Sequence, residues 1–176
     1  MKPLLKWELG GIAFIFFVGS ALHFLFEATG YWPPAGAIAA VNESVWEHLK
    51  LTFWPALIWG LLEYRFQKEA RHNFWWAKAL GIYAMPITIS VIFYLYTAII
   101  GHSILAIDIA TFGLAAAVGQ LISYKIIAGK PIPSWLNLTG ITLILCLGMA
   151  YIVFTYLTPH WHIFLDEGAG GYGILQ

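Results

Sequence analysis

Residues 7–27 read WELGGIAFIFFVGSALHFLFE, a run whose interior is apolar apart from His23 near its end. A transmembrane helix needs about 20 mainly apolar residues to cross about 30 Å of hydrocarbon, so this stretch predicts a span at Trp7–Glu27. The same yardstick, carried outward, finds four more: about Glu43–Tyr64, Phe74–Ile100, Ile104–Tyr124 and Trp135–Thr158. Ala28–Val41 is too short and too rich in Pro and Gly to cross, and reads as a loop with a brief re-entrant or interfacial turn. Lys2 and Lys6 ahead of the first run, with Gly19-Ser20-Ala21 inside it, suggest a signal peptide. The run continues to Phe26, however, longer than such apolar regions extend, so a retained helix is expected.

Composition agrees. Of 176 residues, 60% are hydrophobic, 17% aromatic and only 10% charged, with mean hydropathy +0.75. Soluble domains run nearer 45–50% apolar and about 25% charged, and a chain this apolar has ample surface to bury, which excludes disorder. Nine basic and nine acidic residues cancel, giving no sign of a nucleic-acid partner. The single cysteine, Cys146, excludes an internal disulfide, a CxxC pair and a thiolate metal site. The expected architecture is one all-α domain over residues 1–176: an integral membrane bundle of five transmembrane helices followed by a tail at 159–176.

Basic residues set the orientation. Lys2, Lys6, Arg65, Lys68, Arg71, Lys78, Lys125 and Lys130 all fall on one side if the N-terminus is cytoplasmic, leaving only Lys50 within the second span. The C-terminus then lies outside, in the cell's cytoplasmic (inner) membrane. Trp32, Trp75, Trp76, Trp135 and Trp161 sit near span ends, as an interfacial aromatic belt requires. Pro55 and Pro86 lie inside spans two and three, where each removes a backbone hydrogen bond and favours a kink.

The titratable groups are distributed unevenly. Glu8, Glu63, Glu69 and His72 accompany the basic residues on the inner side. The outer side and outer membrane half hold His23, Glu27, Glu43, Glu47, His48, His102, Asp108, His160, His162, Asp166 and Glu167. Ionisable groups in membrane helices are costly and usually face a cavity, a partner or an ion. His23 and Glu27, four apart, share one face of the first helix, as a plain hydrogen-bonded pair or as two ligands.

Asn42-Glu43-Ser44-Val45-Trp46-Glu47-His48-Leu49-Lys50 is the densest polar cluster. Asn42 is a good N-cap, and Ser44 with Glu47 offers a capping box as an alternative helix start. Glu43, Glu47 and Lys50 follow 0, 4, 7 spacing and are expected to share a face, with Ser44 and His48 on an adjoining stripe. Two carboxylates one turn apart repel unless a proton, a cation or Lys50 intervenes, and a Glu47–Lys50 pair is the simplest answer. Glu47 and His48 themselves point about 100° apart and rarely serve one ion together. Glu43, Glu47, His48 and His23 supply hard oxygens and imidazoles, a set that suits zinc, manganese or iron. The candidate metal ligands are therefore His23, Glu27, Glu43 and Glu47. The candidate catalytic residues are Glu47, His48 and Asp108. The remaining binding candidates are Asn42, Ser44, Lys50, His102, His160, His162 and Asp166.

Asp108, about two turns inside span four, is expected to face the bundle interior and pair with Lys50 or a histidine, and Gln120 is one more interior polar contact. The tail from Thr158 to Gly173 carries His160, His162 and Asp166, four glycines and no positive charge. Its aromatic and apolar residues favour folding back over the outer mouth, as a lid or as a partly ordered interfacial segment.

The run Val41–Leu51 resembles a family of small prokaryotic membrane proteins of unknown function, which share an N-E-S-V-W-E-H-L-K motif after a first helix ending H-F-x-[FY]-E. Both occur here, as Asn42 to Lys50 and as His23-Phe24-Leu25-Phe26-Glu27. The family's C-terminal pattern, L-F-x-D and later G-x-Y-G-I, is matched in part by Ile163-Phe164-Leu165-Asp166 and Gly170-Gly171-Tyr172-Gly173-Ile174. The resemblance covers essentially the whole chain. It implies that these outer elements belong together and supplies no activity.

Three functions fit these features. The first is a metal-dependent membrane hydrolase acting on a lipid or other outer-leaflet substrate, with metal-activated water as its chemistry. The second is a small transporter, or a substrate- or ion-binding subunit, for which five spans without an inverted repeat imply an oligomer or a partner. The third is a structural subunit whose polar cluster fastens helices together. An enzyme requires the outer groups to converge around an open coordination position. A transporter requires polar residues continuing inward, and a structural role requires every carboxylate paired.

Overall fold

The computed structural model describes residues 2–67 and 72–174. Five helices follow one another: α1 (Lys2–Ala28), α2 (Val45–Phe66), α3 (Phe74–Ile100), α4 (Leu105–Ile127) and α5 (Trp135–Tyr156). A 3-10 turn at Pro33–Ala37 occupies the loop after α1, where the Pro/Gly-rich stretch predicted a brief turn. A second 3-10 turn, His162–Phe164, leads into two two-residue strands, β1 (Leu165–Asp166) and β2 (Gly171–Tyr172). These pair antiparallel, Leu165 opposite Tyr172 and Asp166 opposite Gly171. Lys68 and Arg71, used above for orientation, fall outside the described residues.

Four of the helices, α1, α3, α4 and α5, are long and apolar enough to cross a membrane. Five spans were expected, and α2 is the difference. At 22 residues it is long enough, but Glu47, Lys50, Glu63 and Arg65 make it too polar to qualify by composition. It also starts later than the expected span. Ser44, not Asn42, is the N-cap, its hydroxyl accepting from the Glu47 N–H at 3.4 Å, so Glu43 lies outside the helix. Glu43 therefore does not share a helical face with Glu47 and Lys50.

Helices α1, α2, α3 and α4 each pack on the next, α4 returns to α1, and α5 lies chiefly against α3. Ile15, Phe53, Ala56, Met85, Ala115, Ile144 and Tyr151 fill the centre. Outward-facing positions are apolar as well: Phe17, Ile99, Leu105, Leu138 and Leu145 are all largely exposed. Soluble proteins rarely expose apolar surface so extensively, whereas a hydrocarbon environment demands it. Because lipid removes the hydrophobic drive between helices, close packing through small residues must hold them together. The α3–α4 crossing shows this, for a Cβ on Gly81 would meet the Gly119 carbonyl oxygen at 2.5 Å, and one on Gly119 would meet that of Gly81 at 2.6 Å. Both Pro55 and Pro86 are accommodated within continuous helices.

Candidate metal centre

The end of the bundle formed by the last turns of α1 and the first turn of α2 is organised by short-range hydrogen bonds. Asn42 Oδ1 accepts from the Ser44 N–H at 2.9 Å, and its amide donates to the Gly173 carbonyl at 2.7 Å. Asp166 Oδ2 accepts from the Glu43 N–H at 2.9 Å, while its Oδ1 accepts from Ala169 N–H at 2.9 Å. The hairpin of the tail thus grips the backbone at residues 42 and 43 and fixes where Glu43 projects. The tail meets these residues through Asp166 and Gly173 rather than through its histidines. His160 stacks on Tyr172 at 4.5 Å, and His162 pairs with Glu167 at 3.3 Å.

Three side chains converge there: His23 from α1, His48 from the first turn of α2, and Glu43 just ahead of its cap. The edges of the triangle are 3.1 Å between the two Nε2 atoms, 3.4 Å from His48 Nε2 to Glu43 Oε2 and 3.6 Å from His23 Nε2 to the same oxygen. These edges define a point about 2.0 Å from each of the three atoms, the length of zinc–nitrogen and zinc–oxygen bonds. An ion slightly above that plane would have three protein ligands and an open side. The side chains are 30%, 32% and 65% exposed for His23, His48 and Glu43, so the open side is accessible.

The electrostatics suit a cation. His48 Nδ1 lies 2.9 Å from the Ser44 carbonyl. A carbonyl only accepts, so Nδ1 carries a proton, and in the neutral form of the ring Nε2 presents its lone pair to the centre of the triangle. A backbone carbonyl orienting an imidazole in this way is the usual outer support of a metal-bound histidine. The imidazoles of His23 and then His48 hold the Glu43 carboxyl well below the usual carboxylate range, so it is ionised at neutral pH. Without an ion, the same geometry reduces to a single His23-to-His48 hydrogen bond beside a carboxylate.

Several expected members are elsewhere. Glu47, expected as a ligand and catalytic group, turns into the bundle. Its Oε2 lies 2.5 Å from Lys50 Nζ and accepts from the Val41 N–H at 3.1 Å, and its Oε1 accepts from the Thr155 hydroxyl at 2.8 Å. Lys50, fully buried, also donates to the Gly36 carbonyl at 2.7 Å and to Thr155 Oγ1 at 3.0 Å. The Glu47–Lys50 pair anticipated from spacing is thus a saturated knot tying α2 to α5 and to the 3-10 turn. Glu27, one turn beyond His23, is exposed and outside the triangle.

Asp108 pairs with neither Lys50 nor a histidine. Because α4 starts at Leu105, it stands in the first turn, where it accepts from the Tyr96 hydroxyl. That same hydroxyl accepts from the Ile104 N–H at 3.1 Å, closing the α3–α4 connection. His102 is exposed on the same connection.

A second buried charge group lies at the opposite end of the bundle, where only ordinary partners were expected. Lys78 of α3 sits between Glu8 of α1, at 2.9 Å from both carboxylate oxygens, and Glu63 of α2, at 2.5 Å. All three side chains are 3% exposed or less. The available signal was Lys78 itself, a lone cation one turn inside a run otherwise free of charge.

A bundle of four membrane-compatible helices and a fifth, more polar one, with two histidines and a glutamate at ligand spacing near its surface, defines a helical membrane protein with a candidate metal-binding site. No curated protein and no solved structure matches the chain. It belongs to a family of unknown function, DUF6512, whose model matches residues 1–174.

Proposed function

We propose that this is a membrane-embedded, metal-dependent hydrolase whose ion is held by His23, Glu43 and His48 at the outer face, with a lipid or other outer-leaflet molecule as substrate. The observation that carries it is the single point equidistant, at metal-bond length, from three ligand atoms. Two imidazoles and one carboxylate with a remaining open position is a donor set of catalytic zinc sites, and an ion there would polarise water or a substrate oxygen at neutral pH. Glu27, exposed one helical turn beyond His23, is the carboxylate we assign to accept the water's proton. In this reading α2 is a fifth span, since its interior charges are paired inside the bundle rather than presented to lipid. The basic residues then place the N-terminus in the cytoplasm and the tail outside.

The test is elemental analysis by mass spectrometry of the chain purified without chelator or His-tag. Near-stoichiometric zinc, manganese or iron is expected, lost in His23→Ala, Glu43→Ala and His48→Ala and retained in Glu47→Gln. A wild-type protein free of all three metals, even after zinc is supplied and the excess removed, would sink the reading.

The buried Glu8–Lys78–Glu63 group favours a second reading, an ion-coupled carrier or a subunit of one, because it supplies polar character at the inner end. The apolar layer of Ile15, Phe53, Ala56, Met85 and Ala115 between the two ends argues for two separate sites rather than one path. Metal uptake into proteoliposomes, measured beside hydrolysis of lipid esters, separates the two.

A further inference from the structure

The group at the inner end holds one negative charge more than it balances. Lys78 Nζ donates to Glu8 Oε1 and Oε2 and forms an ion pair with Glu63 Oε2 at 2.5 Å. Both Glu63 carboxylate oxygens are buried with no hydrogen-bond partner among the described residues. Ser123, on α4, is independent of these three. Its side chain is fully buried near the Glu8 carboxylate, and its hydroxyl has no hydrogen-bond partner among the described residues. From the other packed elements come only neutral groups: Gln120, whose amide reaches the Glu8 carbonyl at 3.5 Å, and the Phe74 ring, 5.4 Å from Lys78 Nζ. No other charged side chain among the described residues faces the group.

A net charge left unneutralised at this depth is expensive, and the buried Glu63 carboxylate, without a hydrogen bond among the described residues, leaves room for one more hydrogen. Two carboxylates that share a site resolve their repulsion by keeping one proton between them. We propose that Glu8, Glu63 and Lys78 form a proton-binding centre at this end of the bundle, in which the two carboxylates hold a single exchangeable proton. Loaded, the centre is one ammonium, one carboxylate and one carboxylic acid, and is neutral. Unloaded, the proton passes to water and the centre carries charge −1. It lies about 20 Å along α2 from Lys50, given 13 residues at 1.5 Å each, so it is separate from the metal centre and does not depend on it.

The test is infrared difference spectroscopy of the full chain in lipid nanodiscs at pH 7 in potassium buffer, following the C=O stretch of protonated carboxyl groups. Relative to the wild type, Glu63→Gln and Glu8→Gln are each expected to lose one whole carboxyl-proton band, although each removes only one of the two side chains. The carboxylate left behind is then neutralised by Lys78 and stays ionised. Lys78→Met is expected to do the opposite and raise the band to two protonated carboxyls. Should the lysine variant not fold, the two glutamine variants, isosteric and neutral, decide alone. Wild-type spectra with no protonated carboxyl that depends on Glu8 or Glu63 would overturn the proposal, showing both groups ionised. Loss of the band when sodium replaces potassium would overturn it too, by showing a metal cation in the proton's place.

Discussion

Lys50 illustrates how much a single residue commits one end of this bundle. Its ammonium is fully buried and saturated by Glu47, Thr155 and the Gly36 carbonyl. Removing one partner of a buried pair strands the other charge, and Lys50→Met is expected to cost about 3–5 kcal/mol, measurable as a large drop in thermal midpoint in detergent. The double variant Glu47→Leu/Lys50→Met is expected to regain most of that loss, since an apolar replacement removes both charges together. A double variant as unstable as the single one would mean that Lys50 acts through something other than Glu47. Asp166 makes a different kind of commitment. It touches no ligand side chain, only the N–H of Glu43, so Asp166→Ala is expected to weaken metal affinity by about 10–100-fold, as for other groups that orient ligands. Zinc titration against a competing chelator measures it, and unchanged affinity would show that Glu43 is positioned without the tail.

Among the elements, the α3–α4 pair is the tightest fit, backbone against backbone at Gly81 and Gly119. Gly81→Leu has nowhere to place its side chain and is expected to destabilise by about 1–3 kcal/mol or more, read as a lowered melting temperature, whereas Gly60→Ala, whose Cβ would meet only the Lys78 stem at 3.8 Å, is expected to be mild. Equal effects would discount the crossing. Helix boundaries were legible where local chemistry sets them. Span three was read at Phe74–Ile100 and is α3, terminated by Gly101 at φ 89°, a left-handed stop that glycine readily supplies. The start of α2 was legible only as two alternatives, because Asn42 and Ser44 can both cap, and Asn42 is instead drawn off to Ser44 N and Gly173. The three members of the metal triangle were grouped in the sequence by residue type, but together with Glu47, which does not join them. His23 and Glu43 come from separate elements, and Glu47 is pulled away by Thr155, 108 positions distant. Glu8, Lys78 and Glu63 escaped attention for the same reason, since helical spacing carries no information about contacts 70 residues apart.

For the whole molecule, sidedness is the most direct check. In a Cys146→Ser background, Gly168→Cys is expected to react with a membrane-impermeant maleimide on intact cells, and Lys130→Cys only after permeabilisation. The reverse pattern would invert the topology and put the metal centre in contact with the cytoplasm. The tail's grip on residues 42 and 43 also has a consequence for the order in which the protein is made. Glu43 and Asn42 leave the ribosome early, but the groups that hold them, Asp166 and Gly173, follow 123 and 131 residues later. All five helices can pack while the site remains unfinished, and the grip closes only once Asp166 and Gly173 have been synthesised and brought to the same end of the bundle. Under the proposed function, metal capture is therefore a late step of biogenesis, and nascent chains that lack the tail would be unable to hold the ion in its mature geometry.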